Sequence, residues 1–196
     1  CRTLDMRPVP LPDAARVWVV DSKKPRELAA SGYAERRATC EAVAARLGVR
    51  ALRDVSLVML EDARPQLTPV AYKRARHIVT ENARVLAMCD ALENGALTVA
   101  GALLNTAHAS LRDDYEISIP EIDFLCARIA AHPAGYGARI MGGGFGGSVV
   151  ALVAAAGADD LARDVLAAYE GHYGLRAEGF VCTPAAGSAC TVYRGA

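Results

Sequence analysis

Seven glycines fall within thirteen positions between Gly135 and Gly147, and no other stretch of the chain is so well suited to holding a reacting group. The run reads Gly135-Tyr-Gly-Ala-Arg-Ile-Met-Gly-Gly-Gly-Phe-Gly-Gly-Ser148. A backbone with so few side chains turns sharply, adopts positive φ and lets another group come close. Loops of this kind present N–H groups to phosphate. Gly142, Gly143, Gly144, Gly146, Gly147 and Ser148 are therefore candidate site residues. A hairpin turn between two closely packed strands is an equally good reading of the same letters.

Three further groups could do chemistry. Asn105 to Glu116 contains His108, Ser110 and Asp113, the residue types of a nucleophilic triad. On one continuous helix end they cannot meet, because positions i and i+2 point apart. They read either as a polar cluster facing a cleft or as a solvated face. His77 and Glu81 stand at i, i+4, a spacing that can hold a metal. Zinc needs three or four ligands, and the flanking Arg74 and Arg84 favour an ion-pair network instead. Tyr33 follows a polar loop. It could be a core tyrosine or a sugar platform, with an apolar ring and a polar tip.

The glycine run can be tested against known phosphate loops. Gly142, Gly144 and Gly147 satisfy G-x-G-x-x-G, which needs a helix directly after it to meet a pyrophosphate. Here Ser148-Val-Val-Ala-Leu-Val153 follows, a short β-branched run that reads as a buried strand. Adding Val149 matches a protein-kinase loop, but the Val-Ala-Ile-Lys, His-Arg-Asp and Asp-Phe-Gly partners are missing. No Gly-Lys-Ser/Thr is present, so a Walker loop is excluded.

Composition narrows the class. The chain has 196 residues, 53% apolar and 22% charged, a globular balance. Lys+Arg and Asp+Glu both total 22, so nothing in the charge suggests a nucleic-acid surface. No apolar stretch reaches the length of a membrane span. Cys1 to Asp5 resemble neither a secretory leader nor an initiator segment. Six scattered cysteines, with no C-x-x-C pair, read as reduced thiols of a cytoplasmic protein.

Strands bracket a run of helices. Arg16 to Val20 is a β-rich run, and Ser31 is placed to cap a helix that ends at Gly48. A short amphipathic piece covers Leu52 to Leu60. The spacing predicts a long helix over Ala71–Leu92, with Ala71, Ala75, Ile78, Val79, Val85, Leu86, Cys89 and Leu92 as its apolar stripe. Thr98 would cap a second helix, with Val99, Leu103, Leu104, Ala107 and Leu111 inward. Pro120 opens a third that carries Ile122, Leu125 and Ile129. A helix over Asp159–Tyr173 and strands at Phe180–Cys182 and Cys190–Tyr193 complete the order. The fold class expected is α+β, a small antiparallel sheet covered by helices on one face.

Several of these pieces occur in order in one family. Ser31-Gly-Tyr-Ala-Glu-Arg-Arg37 with Cys40-Glu41 resembles the galactokinase segment S-x-Y-N-x-R-R-x-x-C-E, with Ala34 in place of its Asn. Leu52-Arg-Asp-Val55 and Arg76-His-Ile-Val-Thr-Glu-Asn-Ala-Arg84 match two further segments. Leu104 to Ser118, followed by Pro120-Glu-Ile-Asp123, resembles M-N-x-S-H-x-S-L-R-D-D-Y-E-V-S-x-P-E-L-D. Gly137 to Gly147 resembles the family's third motif, G-A-R-M-T-G-x-G-F-G-G.

The resemblance implies the GHMP kinase superfamily, with a ferredoxin-like sheet in its C-terminal domain. It implies transfer of the ATP γ-phosphoryl to the anomeric hydroxyl of galactose with Mg²⁺, a reaction of positioning and charge stabilisation. Tyr33 matches the family tyrosine that contacts galactose, and Gly142 to Ser148 the loop that helps shape the active site. The family's sugar motif, its Gly/Ser-rich phosphate motif and its presumed catalytic Asp have no counterpart in these residues. The resemblance therefore implies one C-terminal domain over 1–196, with 1–12 a remnant of an absent N-terminal domain. It leaves no catalytic residue, no metal ligand and no tight ATP or Mg site in this chain. It also implies self-association through the face that the N-terminal domain would cover. A non-catalytic sugar sensor and an N-acetylgalactosamine kinase are the alternative readings.

Overall fold

Val17, Trp18, Val19 and Val20 are β-branched or aromatic, the types that suit a pleated, half-buried surface. In the computed structural model, which describes residues 6–25 and 29–184, they lie in the central part of strand β1, Ala15–Asp21. β1 pairs antiparallel with β3, Ser148–Ala154, on one side and with β4, Glu178–Cys182, on the other. β2, Gly135–Ile140, pairs antiparallel with β3 and completes the order β2-β3-β1-β4. That order, with a helix before β2 and another between β3 and β4, is the ferredoxin-like arrangement. The α+β expectation holds.

The pleat sends Trp18 and Val20 of β1, Val149, Ala151 and Val153 of β3, and Ala138 and Ile140 of β2 into one core. Helices α5, Pro120–Ala131, and α6, Ala158–Tyr173, close that face with Ile122, Leu125, Ile129, Leu161, Val165 and Tyr169. Each fully buried aliphatic side chain contributes about 1.5–3 kcal/mol. The Tyr169 hydroxyl donates to the Ser22 carbonyl at 3.0 Å, so its one polar atom is satisfied inside. The other face is not wholly bare, contrary to expectation. Ala15 and Leu152 are covered at one end by Ala91, Leu97 and Ala100, where α3, Pro69–Glu93, turns into α4, Leu97–Asp113.

α4 also runs along the outer edge of β2. Gly101 makes this possible, because a Cβ there would overlap the backbone carbonyl of Tyr136. Asn105 Oδ1 accepts from the Ala138 N–H at 3.0 Å, and His108 Nδ1 faces the Ile140 N–H at 3.4 Å. Edge donors that would invite another strand are thus occupied from within. A separate core joins α1, Ala29–Arg46, and α2, Leu57–Ala63, to α3 through Val43, Leu52, Leu60, Tyr72, Ala75 and Val79.

Several expected boundaries and faces move. α1 begins at Ala29, so Ser31 lies inside the helix rather than at its cap. The Leu52–Leu60 piece divides into a 3-10 turn at Leu52–Asp54 and α2, whose cap Ser56 accepts from the Met59 N–H at 3.2 Å. α3 starts at Pro69, capped by Thr68, and α4 follows Ala96 with no side-chain cap, so Thr98 is not one. Val85 and Leu86 are 54% and 63% exposed and Val99 is also exposed, while Arg74 and His77 are buried. A helix with several neighbours buries the positions those neighbours cover. Polarity decides only whether a buried group must find a partner. The strand expected at Cys190–Tyr193 lies outside the described residues.

Candidate functional site

Tyr33 is not a core tyrosine. It sits in the second turn of α1 with its ring 58% exposed. It lines a cavity of about 610 Å³ with Cys40, Leu52, Ile78 and Tyr115, and with the charged Arg37 and Glu41. That volume suits a small organic ligand. Burial, with Cys40 alongside, pushes the Tyr115 phenol up to about 12, and burial raises the Cys40 thiol as well. Both groups are neutral at physiological pH. They supply an apolar surface with weak polar atoms, and no nucleophile.

The glycine loop joins β2 to β3 as the turn of a hairpin, which was one of its two readings. Its backbone is pinned on two sides. The Phe145 N–H donates to the Ile117 carbonyl at 2.8 Å, and the Gly147 N–H to the Lys24 carbonyl at 3.1 Å. The Ser22 hydroxyl donates to the Gly147 carbonyl at 2.6 Å. At Gly146, φ is +124° and a Cβ would lie 2.8 Å from the carbonyls of both Lys24 and Pro25, so only glycine fits. Gly142 and Gly143 remain exposed, whereas Gly144 and Gly146 are buried and Gly147 and Ser148 are half-buried. Phe145, at the tip, lines a second cavity of about 500 Å³ with Lys24, Pro25, Ile119, Pro120 and Tyr173.

Tyr33 and the glycine loop thus face different cavities, and Arg36 stands between them. Its guanidinium donates to the carbonyls of Tyr115 (2.9 Å), Glu116 (2.7 Å) and Gly32 (3.2 Å) and lies 4.9 Å from the centre of the Phe145 ring. Arg74, also buried, reaches the Tyr115 carbonyl at 3.3 Å and the Glu116 carboxylate at 3.1 Å. Neither Arg36 nor Phe145 is singled out by residue type. What marks them is a convergence of three chain segments that spacing along one segment cannot show.

The other candidates disperse. His77 Nδ1 lies 2.9 Å from Ser110 Oγ, and its ring packs at a 33° tilt against Tyr115, with centroids 4.6 Å apart. Glu81 turns instead to Arg84 at 2.8 Å and to Arg139 of β2. Burial raises the Glu81 carboxyl, but those two arginines outweigh it and hold it below its ordinary value. The pair is therefore split between a hydrogen bond and an ion-pair bridge. His108, Ser110 and Asp113 diverge as helical geometry requires. His108 Nε2 sits 3.0 Å from Asp123 Oδ1, and Asp113 pairs with Arg112 at 2.8 Å. His108 and Asp114 are buried while Arg112 and Asp113 are exposed, so this end of α4 is solvated on one side only. Burial raises the Asp123 carboxyl, yet His108 and Ser118 together hold it below the ordinary range.

Residues 88–171 match the family described as "GHMP kinases C terminal". The matched stretch runs from the last turns of α3 through β2 and β3 into α6. Its sequence is 43% identical over 192 residues to the galactokinase of Haemophilus influenzae, covering 95% of this chain and 50% of that protein. It is 43% identical over 187 residues to the galactokinase of a Roseiflexus species, covering 93% of this chain and 48% of the relative. The chain spans about half the length of the curated relatives it matches. Among solved structures, Lactococcus lactis galactokinase complexed with galactose superposes with a TM-score of 0.82 at 35% identity, over 90% of this chain and 47% of that one. L. major mevalonate kinase, at 19% identity and a TM-score of 0.56 over 92% of this chain and 46% of that one, shares the fold.

Proposed function

We propose that these residues form the C-terminal half of a galactokinase, which transfers the γ-phosphoryl of ATP to the anomeric hydroxyl of galactose. The observation that carries this reading is galactokinase-like sequence along 95% of the chain. The exposed Tyr33 ring at a ligand-sized cavity supports it. In this reading Tyr33 lays its ring against the sugar and offers its hydroxyl as a hydrogen-bonding tip. Gly142, Gly143, Gly144, Gly146, Gly147 and Ser148 form a fixed wall of the active site.

No group of three or more His, Cys, Asp and Glu side chains placed to hold a metal ion occurs among the described residues. Magnesium in such enzymes is held by one or two carboxylates together with the phosphates, and in this reading no residue of this chain is given that role and no phosphoryl-transfer step is assigned to it. ATP phosphates, Mg²⁺ and the base that takes the sugar proton are assigned to the other half of the enzyme. The 196 residues alone are then inactive and bind neither ATP nor Mg²⁺ tightly. A cytoplasmic site of action fits the free thiols of Cys40, Cys89, Cys126 and Cys182. No helix among the described residues is long and apolar enough to cross a membrane. Exposed apolar side chains such as Val58, Leu86 and Val99 support self-association of the isolated chain.

A chimera tests the function. The chain joined to the N-terminal half of the Haemophilus influenzae galactokinase is expected to phosphorylate galactose in a coupled assay. Tyr33→Ala is expected to raise KM for galactose more than KM for ATP, while the 196 residues alone give no turnover. A folded chimera that binds ATP but leaves galactose unphosphorylated refutes the reading.

A further inference from the structure

Two non-glycine residues near Arg36 hold left-handed backbone, Glu116 at φ +55° and Phe145 at φ +61°. Such conformations persist where surrounding contacts impose them. Arg36 touches both residues, through the Glu116 carbonyl at 2.7 Å and the Phe145 ring at 4.9 Å. It also reaches back to the Gly32 carbonyl, one residue before Tyr33. At Gly32 a Cβ would come 2.5 Å from the Phe145 ring, so the α1 backbone and the loop tip are in direct contact. Phe145 is tied in turn to Ile117 through its N–H at 2.8 Å.

We propose that Arg36 is a positioning residue that locks the Tyr33 turn of α1 to the glycine loop, so that the sugar contact and the loop move as one unit. A guanidinium can do this because its planar fork donates in three directions while one face lies on an aromatic ring. A lysine ammonium keeps the charge and has three donors, but they radiate from one nitrogen and it has no planar face to lay on a ring. Arg74 also reaches α1, at the Glu35 carboxylate at 3.4 Å, and the 115–116 segment, but its bonds go to neither Gly32 nor the glycine loop, so it is not a substitute. The catalytic meaning of this lock rests on the galactokinase reading, whereas the mechanical coupling does not.

Amide hydrogen exchange on the full chain tests the lock in Arg36→Lys, Phe145→Leu and the double variant. Each single variant is expected to speed exchange about tenfold or more at two places together, Arg36–Arg37 in α1 and the hydrogen-bonded amides of Phe145 and Gly147. Val149–Val153 and Leu161–Tyr169 are expected to stay within about twofold. The double variant is expected to be about as fast as the faster single one, since both changes break the same link. Acceleration at only one of the two places, uniform acceleration of every amide, or multiplying effects in the double variant overturns the proposal. If Arg36→Lys does not fold, Phe145→Leu decides by the same pattern. In the chimera, Arg36→Lys is expected to raise KM for galactose about tenfold with KM for ATP within about twofold. An unchanged galactose KM overturns the positioning role. A parent chimera without activity counts against the galactokinase reading, and the exchange pattern still decides the coupling.

Discussion

Acidification should destabilise this domain through His77 before its paired carboxylates titrate. The residue is 4% exposed, its ring packs at a tilt against Tyr115, and it feels cationic Arg84 and Arg139 and anionic Glu81 and Asp114. Burial pushes its pKa from 6.5 down to about 4, with the arginines assisting and the carboxylates opposing. The unfolded chain binds a proton below about pH 6.5 that the folded chain refuses until about pH 4. Stability is therefore complete above that window, falls as pH drops through it, and the loss is complete below the folded value. The fall from 6.5 to about 4 corresponds to about 3 kcal/mol in full. About 1 kcal/mol of it is lost by about pH 5.5 and most of the rest by about pH 4.5. Against a total stability of about 5–15 kcal/mol, such a loss is readily measured. Urea unfolding can be followed through Trp18, the one tryptophan, which is buried in the sheet core. His77→Asn is the control, because an amide can still meet Ser110 Oγ but does not titrate. Glu81 and Asp123 remain in both proteins, so their contributions cancel in the difference. Parallel pH profiles for the parent and His77→Asn, within about 0.5 kcal/mol down to about pH 4.5, would refute the argument.

Two further outcomes are expected. Gly101→Ala puts a methyl into the Tyr136 carbonyl and pushes α4 off the β2 edge. Overpacking of this kind costs about 1–3 kcal/mol, so thermal unfolding should show Tm lower by roughly 2–12 °C, and an unchanged Tm would contradict the close approach. Sedimentation of the isolated 196 residues should show concentration-dependent self-association through exposed apolar side chains, which a strictly monomeric profile would exclude.

Much of the fold was readable because the elements here carry strong local signals. Pro120 opens α5 as expected, and Ile122, Leu125 and Ile129 all point into the core. The β-branched run after the glycines forms β3, and the run around Trp18 forms β1. The misplaced residues share one cause. Val85, Leu86 and Val99 sit at apolar periods of α3 and α4, yet each stays more than half exposed among the described residues. Arg74 and His77 sit at polar positions that are buried, where Tyr115 and Glu116 accept from the two terminal nitrogens of Arg74 and Ser110 Oγ meets His77 Nδ1. Periodicity reports which side chains could share a face, not which face meets a neighbour.

The candidate site divides in the same way. Tyr33 and the glycines from Gly142 to Gly147 were visible as residue types and as a motif. Whether Tyr33 lay in the core or at a cavity depended on how α1 packs against α3. The positive φ at Glu116 and Phe145 has no letter of its own, since neither residue favours that conformation. By itself the sequence determined the elements, the family resemblance and the hairpin glycines, because these depend on contacts close along the chain and on side-chain chemistry. Only the tertiary structure decided that Arg36 joins three segments far apart in sequence. Its partners are mainly backbone carbonyls, which every residue carries, so no pattern of side chains could announce them.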